Sequence, residues 1–214
     1  MLPPTFPGHS PYCPSTLAPD ASGAWHGPDV ASARALIRAA GATGAKVTVY
    51  GADGPGHRDV AAYIASMLRG LGLDATTTLV DPNLFFSDGG PISHPSSIQI
   101  AGYWVGSPDT TAANQFVGVF TCPDFPATDY APVYPSTLCD RSIDTMVSQA
   151  RGLETGGDTP GANAEWAKVD ERVTDSSVVD PLFNPTDVAF VSARVGNVQH
   201  HPIWQVLLDE MWVQ

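Results

Sequence analysis

The 214-residue chain is 43% hydrophobic and 15% charged, an ordinary globular composition long enough to bury a real core. Its formal net charge of −12, from 10 Lys and Arg against 22 Asp and Glu with no basic run, is wrong for binding nucleic acid or an anionic membrane. No stretch approaches the ~18–20 apolar residues of a membrane span, and 20 Gly and 20 Pro fall without period or repeat.

Residues 1–28 are rich in Pro, Gly, Ser and Tyr and read as an extended, irregular arm. The opening Met1-Leu2-Pro3-Pro4-Thr5-Phe6-Pro7-Gly8 has neither the basic nor the apolar region of a signal peptide. Asp29 is a good N-cap, and Val30, Ala33, Ile37 and Ala40 then fall on one helical face that stops at Gly41. Residues 46–50 are a β-branched strand, and 51–56 a turn. A second helix starts at His57 and runs to about Gly70, with Val60, Ile64, Met67, Leu68 and Leu71 recurring at the helical period. Residues 74–80 form the next strand. Strand, helix and strand of these lengths suggest a right-handed β-α-β unit with parallel pairing.

Residues 81–96 read as a loop holding Phe85 and Phe86 beside Gly89-Gly90, and 98–105 as another strand. Residues 114–120 suit a short helix. Asp140 caps a helix whose face is Ile143, Met146, Val147, Ala150 and Leu153; after Gly156-Gly157 another places Trp166, Val169 and Val173 inward. Pro181-Leu182-Phe183 opens an extended segment, 188–192 reads as a strand, and 204–212 carries a last apolar face. Order and length indicate an α/β domain whose ends do not look self-contained.

Catalytic signatures are weak. Gly8-His9-Ser10-Pro11-Tyr12 lacks the final Gly of a nucleophile elbow, and Pro11 sits where the helix should begin. Nucleotide-binding glycine motifs are missing. Gly51-Ala52-Asp53-Gly54-Pro55-Gly56 does lie between strand and helix, but Pro55 removes an N–H and Asp53 repels an anion, so it reads as a turn. His200-His201 precedes Pro202 in what reads as a loop, and adjacent side chains of an extended segment point to opposite faces, which one ion rarely bridges. A hydrolase using Ser10 or Ser107 with one of the six His is the rival from another class. No metal site or cofactor is expected.

Of the three cysteines, Cys122 and Cys139 bracket a segment rich in Pro, Asp and Tyr. A disulfide there would close a loop of modest length and suits an oxidising compartment, with Cys13 left over; three buried thiols are the alternative. Tyr103 and Trp104 close the 98–105 strand and run into Gly106-Ser107-Pro108-Asp109. Ligands of open α/β sheets gather at strand carboxyl ends, where a flat aromatic supplies apolar area and a loop supplies polar groups. By residue type alone Trp104 reads as core; its position makes it a candidate.

The order of these segments resembles the peptide/nickel-type solute-binding proteins that feed ABC importers. Pro28-Asp29-Val30-Ala31-Ser32-Ala33-Arg34-Ala35-Leu36 is similar to that family's D-P-x-K-A-R-x-L-L helix, and 57–73 to the helix that follows its V-T-V strand. Ile100-Ala101-Gly102-Tyr103-Trp104 resembles its strand ending in Trp, Cys139-Asp140-Arg141-Ser142-Ile143-Asp144 its next helix, and 165–175 with Pro181-Leu182-Phe183 its approach to a P-L-F turn. Phe190-Val191-Ser192-Ala193-Arg194-Val195 resembles its closing strand.

The resemblance implies an α/β fold: the second lobe of a two-lobed periplasmic-binding-protein-like architecture (type II, cluster C). An arm or inter-lobe connection at 1–28 and a lobe at 29–180 would be followed by a C-terminal return segment, 181–214, toward an N-terminal lobe preceding residue 1. It further implies an extracytoplasmic, non-enzymatic binder of oligopeptides or similar small polar solutes. The partners would be that N-terminal lobe and a membrane permease, and the contacts Phe85, Phe86, Tyr103, Trp104, Gly106, Ser107 and Asp109. Many peptide-binding members carry an acidic residue shortly after the Trp; here Trp104-Val105-Gly106-Ser107-Pro108 has none, and Asp109 is the nearest carboxylate. A ligand-sensing module of a regulatory fusion is the alternative within binding.

Overall fold

The computed structural model describes residues 2–85, 100–101, 111–117, 119–122, 139–184, 188–201 and 205–213. Its elements in chain order begin with α1 (Val30–Ala39), β1 (Lys46–Ala52), α2 (His57–Leu71), β2 (Asp74–Val80), α3 (Pro82–Phe85) and β3 (Ile100–Ala101). They continue with α4 (Ala112–Phe116), α5 (Arg141–Thr155), α6 (Thr159–Asp175) and the short strands β4 (Val195–Gly196), β5 (His200–His201), β6 (Gln205–Val206) and β7 (Trp212–Val213).

One core is a parallel sheet with β1 in the middle, in the order β2-β1-β3. The β1–β2 ladder runs unbroken from Lys46↔Asp74 to Ala52↔Val80. Because Gly51 and Ala52 still pair with Leu79 and Val80, the strand outlasts the expected 46–50 and shortens the turn. Helix α2 crosses between the two strands with Ala61 and Ala65 fully buried beside Val49 and Ala75. The approach is close: a Cβ on Gly51 would stand 2.8 Å from that of Ala61. The periodicity of the larger residues catches the flank of this face and misses its centre: Ile64 and Leu68 pack against it, Met67 is exposed, and the fully buried Ala61 and Ala65 go uncounted. Alanine carries little weight in a hydrophobic pattern, yet only a small side chain admits a helix this near to a strand.

Helix α1 is capped as expected, Asp29 accepting the Ser32 N–H at 2.9 Å and its hydroxyl at 2.6 Å. None of its residues is fully buried; Ala33 and Ile37 are half-buried, while Val30 and Ala40 are exposed. Its tie to α2 is partly polar, with the Arg34 guanidinium donating to the Gly70 carbonyl at 2.8 and 3.2 Å.

The second core is built on the α5–α6 pair. Gly156 and Gly157, the latter at φ +80°, turn the chain, and Asp158 restarts it by accepting the Gly161 N–H at 3.0 Å. Ile143, Val147 and Ala150 of α5 share a cluster with Ala162, Trp166, Val169 and Val173 of α6. From α4 and its following turn, Phe116 and Phe120 join the cluster, Phe116 stacking on Trp166 with centroids 5.9 Å apart. The indole donates to Glu154 at 2.7 Å, satisfying the polar handle of a fully buried ring. Helix α4 begins two residues before the expected 114–120 and ends earlier, leaving Phe120 in a turn.

Residues 2–28 hold no helix or strand. Even so, Leu2 is buried in the α4–α6 cluster, and its N–H donates to both carboxylate oxygens of buried Asp170 at 3.1 Å. Gly8 passes so near α6 that an added Cβ would meet that of Trp166 at 2.7 Å. Farther on, the Tyr12 hydroxyl donates to Asp175 at 2.7 Å.

The end of the chain departs from expectation. Residues 188–192 are not a strand: no partner pairs with them among the described residues, and Phe190 is 99% exposed. Two small antiparallel ribbons form instead, β4 with β7 and β5 with β6. His200 and His201 therefore lie in a strand where a loop was expected. The anticipated apolar face of 204–212 is replaced by β6, a one-turn 3-10 helix at Leu208–Glu210, and β7, with Leu208 and Trp212 exposed. The Trp212 indole covers Gly196, where a Cβ would approach it to 2.5 Å.

Trp166→Ala should cost about 3–5 kcal/mol through lost burial and a residual cavity, read as a lower midpoint in urea unfolding. Trp166→Phe should cost less, keeping most of the ring area and losing only the bond to the exposed Glu154.

Candidate functional site

Three parallel strands deliver the chain to one edge of the sheet, at Ala52, Val80 and Ala101. The connection from β1 passes through α2 to β2 on one side; the chain leaving β2 then returns past β1 to add β3 on the other. The border of β1 and β3 is thus a topological switch point, where open α/β sheets form a crevice outside the strand ends.

The described rim of this edge is polar and self-paired. Asp53 donates its N–H to the Val80 carbonyl at 2.7 Å, and its carboxylate meets Arg58 of α2 at 2.5 Å. Gly56, at φ +77°, precedes α2 and offers no side-chain cap. With Asp53 already holding the nearby cation, the 53–56 segment is a turn and not an anion cradle, as its Asp and Pro imply. Helix α3 touches β1, and Asp81 opens it by accepting the Asn83 N–H at 2.8 Å.

Phe85 supplies the last residue of α3; its side chain, and all of Phe86, Tyr103, Trp104, Gly106, Ser107 and Asp109, lie outside the described residues. What is described is the platform: β3 pairs with β1 through Val49↔Ile100 and Tyr50↔Ala101 and leads directly into that sequence. Of the residues of the rival hydrolase reading, Ser10 is followed by Pro11 and preceded by His9, whose Nδ1 lies 2.9 Å from the Leu2 carbonyl. Ser107 lies outside the described residues. Among the described residues no group of His, Cys, Asp and Glu could hold a metal, and no helix is long and apolar enough to cross a membrane.

A second polar constellation surrounds the one disulfide of the described residues, Cys122–Cys139. Cys122 is buried and donates its N–H to Asp144 Oδ1 at 2.9 Å; Arg141 holds the other oxygen at 3.1 Å. Cys139 is exposed, and the next residue, Asp140, caps α5 through the Ser142 N–H at 2.9 Å and hydroxyl at 2.7 Å while pairing with Arg172 of α6. Asp144 and Asp170 are the residues that sequence reasoning passed over. Their only signal is a carboxylate next to apolar positions of an amphipathic helix, Ile143 and Val169.

No protein-family model matches the sequence, and no curated protein matches it significantly. Solved structures do. The chain superposes on a clavulanic acid biosynthesis oligopeptide binding protein with TM-score 0.76 and 22% identity, over 99% of its own length and 37% of that protein's. The chain has the fold of part of an ABC-type solute-binding protein. An ABC-transporter substrate-binding protein from Listeria monocytogenes matches with TM-score 0.63 and 14% identity, over 95% of this chain and 41% of that one. A periplasmic binding protein of Helicobacter pylori, solved with a peptide, matches with TM-score 0.59 and 16% identity, over 83% and 32%. At such identities the likeness establishes the fold, and the chain spans only 32–41% of the length of these proteins.

The Asp140 carboxyl is held at about 2, first by the Ser142 hydroxyl, then by the Ser142 N–H and Arg172. Its folded value is below that of the unfolded chain, so its stabilisation is complete above pH ~4 and is lost as pH falls from there toward 2. Asp140→Ala should lower stability at pH 7 by about 1 kcal/mol through the lost cap. Thermal unfolding at pH 7 and pH 2 checks the sign: the gap to wild type should narrow in acid.

Proposed function

We propose that this chain is the C-terminal portion of a two-lobed, extracytoplasmic solute-binding protein serving an ABC importer, with an oligopeptide or similar small polar molecule as ligand. The observation that carries the reading is the superposition of 99% of the chain on an oligopeptide-binding protein. The switch point at β1 and β3 adds to it. The binding surface would be the segment after β3, with Tyr103 and Trp104 offering flat apolar area, Gly106, Ser107 and Asp109 offering polar groups, and Phe85 and Phe86 entering from the neighbouring connection.

In this reading residues 1–28 form the arm, 29–180 the lobe and 181–214 a return toward the other lobe. The return segment has the surface for that role. Leu182, Phe183, Val188, Phe190, Val191, Leu208, Trp212 and Val213 are exposed there, and none of them belongs to either core cluster. In this reading the other lobe would cover many of these side chains. Two lobes closing on a solute would trap it and present the closed form to a permease, with no bond made or broken.

One lobe supplies half of such a groove, so the 214-residue chain alone should bind peptides at least about a hundredfold more weakly than the two-lobed protein. In the latter, Trp104→Ala should raise Kd about tenfold or more. Isothermal titration with a peptide library pool measures both. Tight, stoichiometric binding by the chain alone would sink the two-lobe reading.

A further inference from the structure

The disulfide sits where three structural elements meet. On one side buried Cys122 follows buried Phe120 and Thr121, and its N–H donates to the buried Asp144 carboxylate, which Arg141 also holds. On the other, Cys139 is exposed and adjoins Asp140, whose carboxylate caps α5 and reaches Arg172 in the last turns of α6. One turn beyond Arg172, Asp175 takes the Tyr12 hydroxyl of the N-terminal arm. We propose that Cys122–Cys139 is a redox latch, its state deciding whether the first turn of α5 stays docked on the 119–122 segment and on the end of α6.

The chemistry needs a dithiol reductant. Its thiolate attacks sulfur at Cys139, the exposed partner, forming a mixed disulfide there and breaking the Cys122–Cys139 bond. Cys122 leaves as a thiolate and, buried, takes a proton. The second thiol of the reductant then attacks the mixed disulfide, closes the reductant's own disulfide and releases Cys139 as a thiol, so two electrons have passed to the protein.

The consequence follows from Asp144. A buried carboxylate deprived of a hydrogen-bond donor carries a large desolvation penalty. Once the covalent tie is gone, the Cys122 amide is no longer held against Asp144, and unwinding the first turn of α5 would return that carboxylate to water and release Asp140 from Arg172. The sheet core of β1 and α2 shares no residue with this cluster and has no reason to respond.

Amide hydrogen exchange of the folded protein, oxidised and after dithiothreitol, tests this, with Cys13 alkylated first so that it cannot re-pair. On reduction the amides of Cys122, Ser142, Ile143 and Asp144 should exchange about tenfold faster or more, while those of β1 and α2 change less than about twofold. The Cys122→Ser/Cys139→Ser double variant should reproduce the pattern without reductant. Unchanged exchange at α5 would overturn the proposal. An equal rise in β1 and α2 would also overturn it, making the disulfide a global stabiliser and not a latch.

Discussion

The buried face of α6 receives everything that the helical core contains. Trp166, Val169 and Val173 meet α5, the two phenylalanines of the α4 region and the leucine at the start of the chain. Asp170 lies on the same helix beside them, and a carboxylate can be buried at that point because the Leu2 amide donates to both its oxygens. The arm is therefore held by a polar bond inside an apolar contact, and moving Leu2 would take a donor away from both oxygens of the buried Asp170. Gly8 continues the constraint, since no larger residue could pass so close to Trp166.

The sheet core obeys a different rule. Here the helix is brought to the strands by what is missing from its side chains, at Ala61 and Ala65, and from the strand, at Gly51. That tight seating fixes where β1 ends and so where the turn bearing Asp53 emerges toward Arg58 of α2. The edge at which a ligand is proposed to bind is positioned by small residues, while the proposed contacts themselves are large and aromatic.

This division explains what the sequence made legible. Helices α2, α5 and α6 and strands β1 and β2 could be read from spacing, caps and β-branching because each is decided locally, by Asp140 and Asp158 at the caps and Gly72 and Gly157 at the stops. The centre of the inward face of α2 could not, because a count of bulky residues finds Ile64 and Leu68 but overlooks alanines chosen for closeness. Residues 188–192 look like a strand by composition, but a strand needs a partner, and none of the described residues supplies one. The disulfide was one of two readings of Cys122 and Cys139, and spacing alone had no means of choosing; the Asp144 contact that braces it depends on a fold that brings α5 to the 119–122 segment. The proposed ligand contacts rest on the order of segments and on the end of β3, not on any motif of their own.

The central place of β1 also bears on how the molecule assembles. Its pairing with β2 is local, closed through a single helix, and can form as soon as that unit is made. Its pairing with β3 brings together Val49 and Ile100, far apart along the chain, and carries a larger loop-closure entropy. A β1 not yet joined by β3 would present an unpaired edge on the side where the switch point forms, and such an edge is the kind that mispairs with a copy of the same chain.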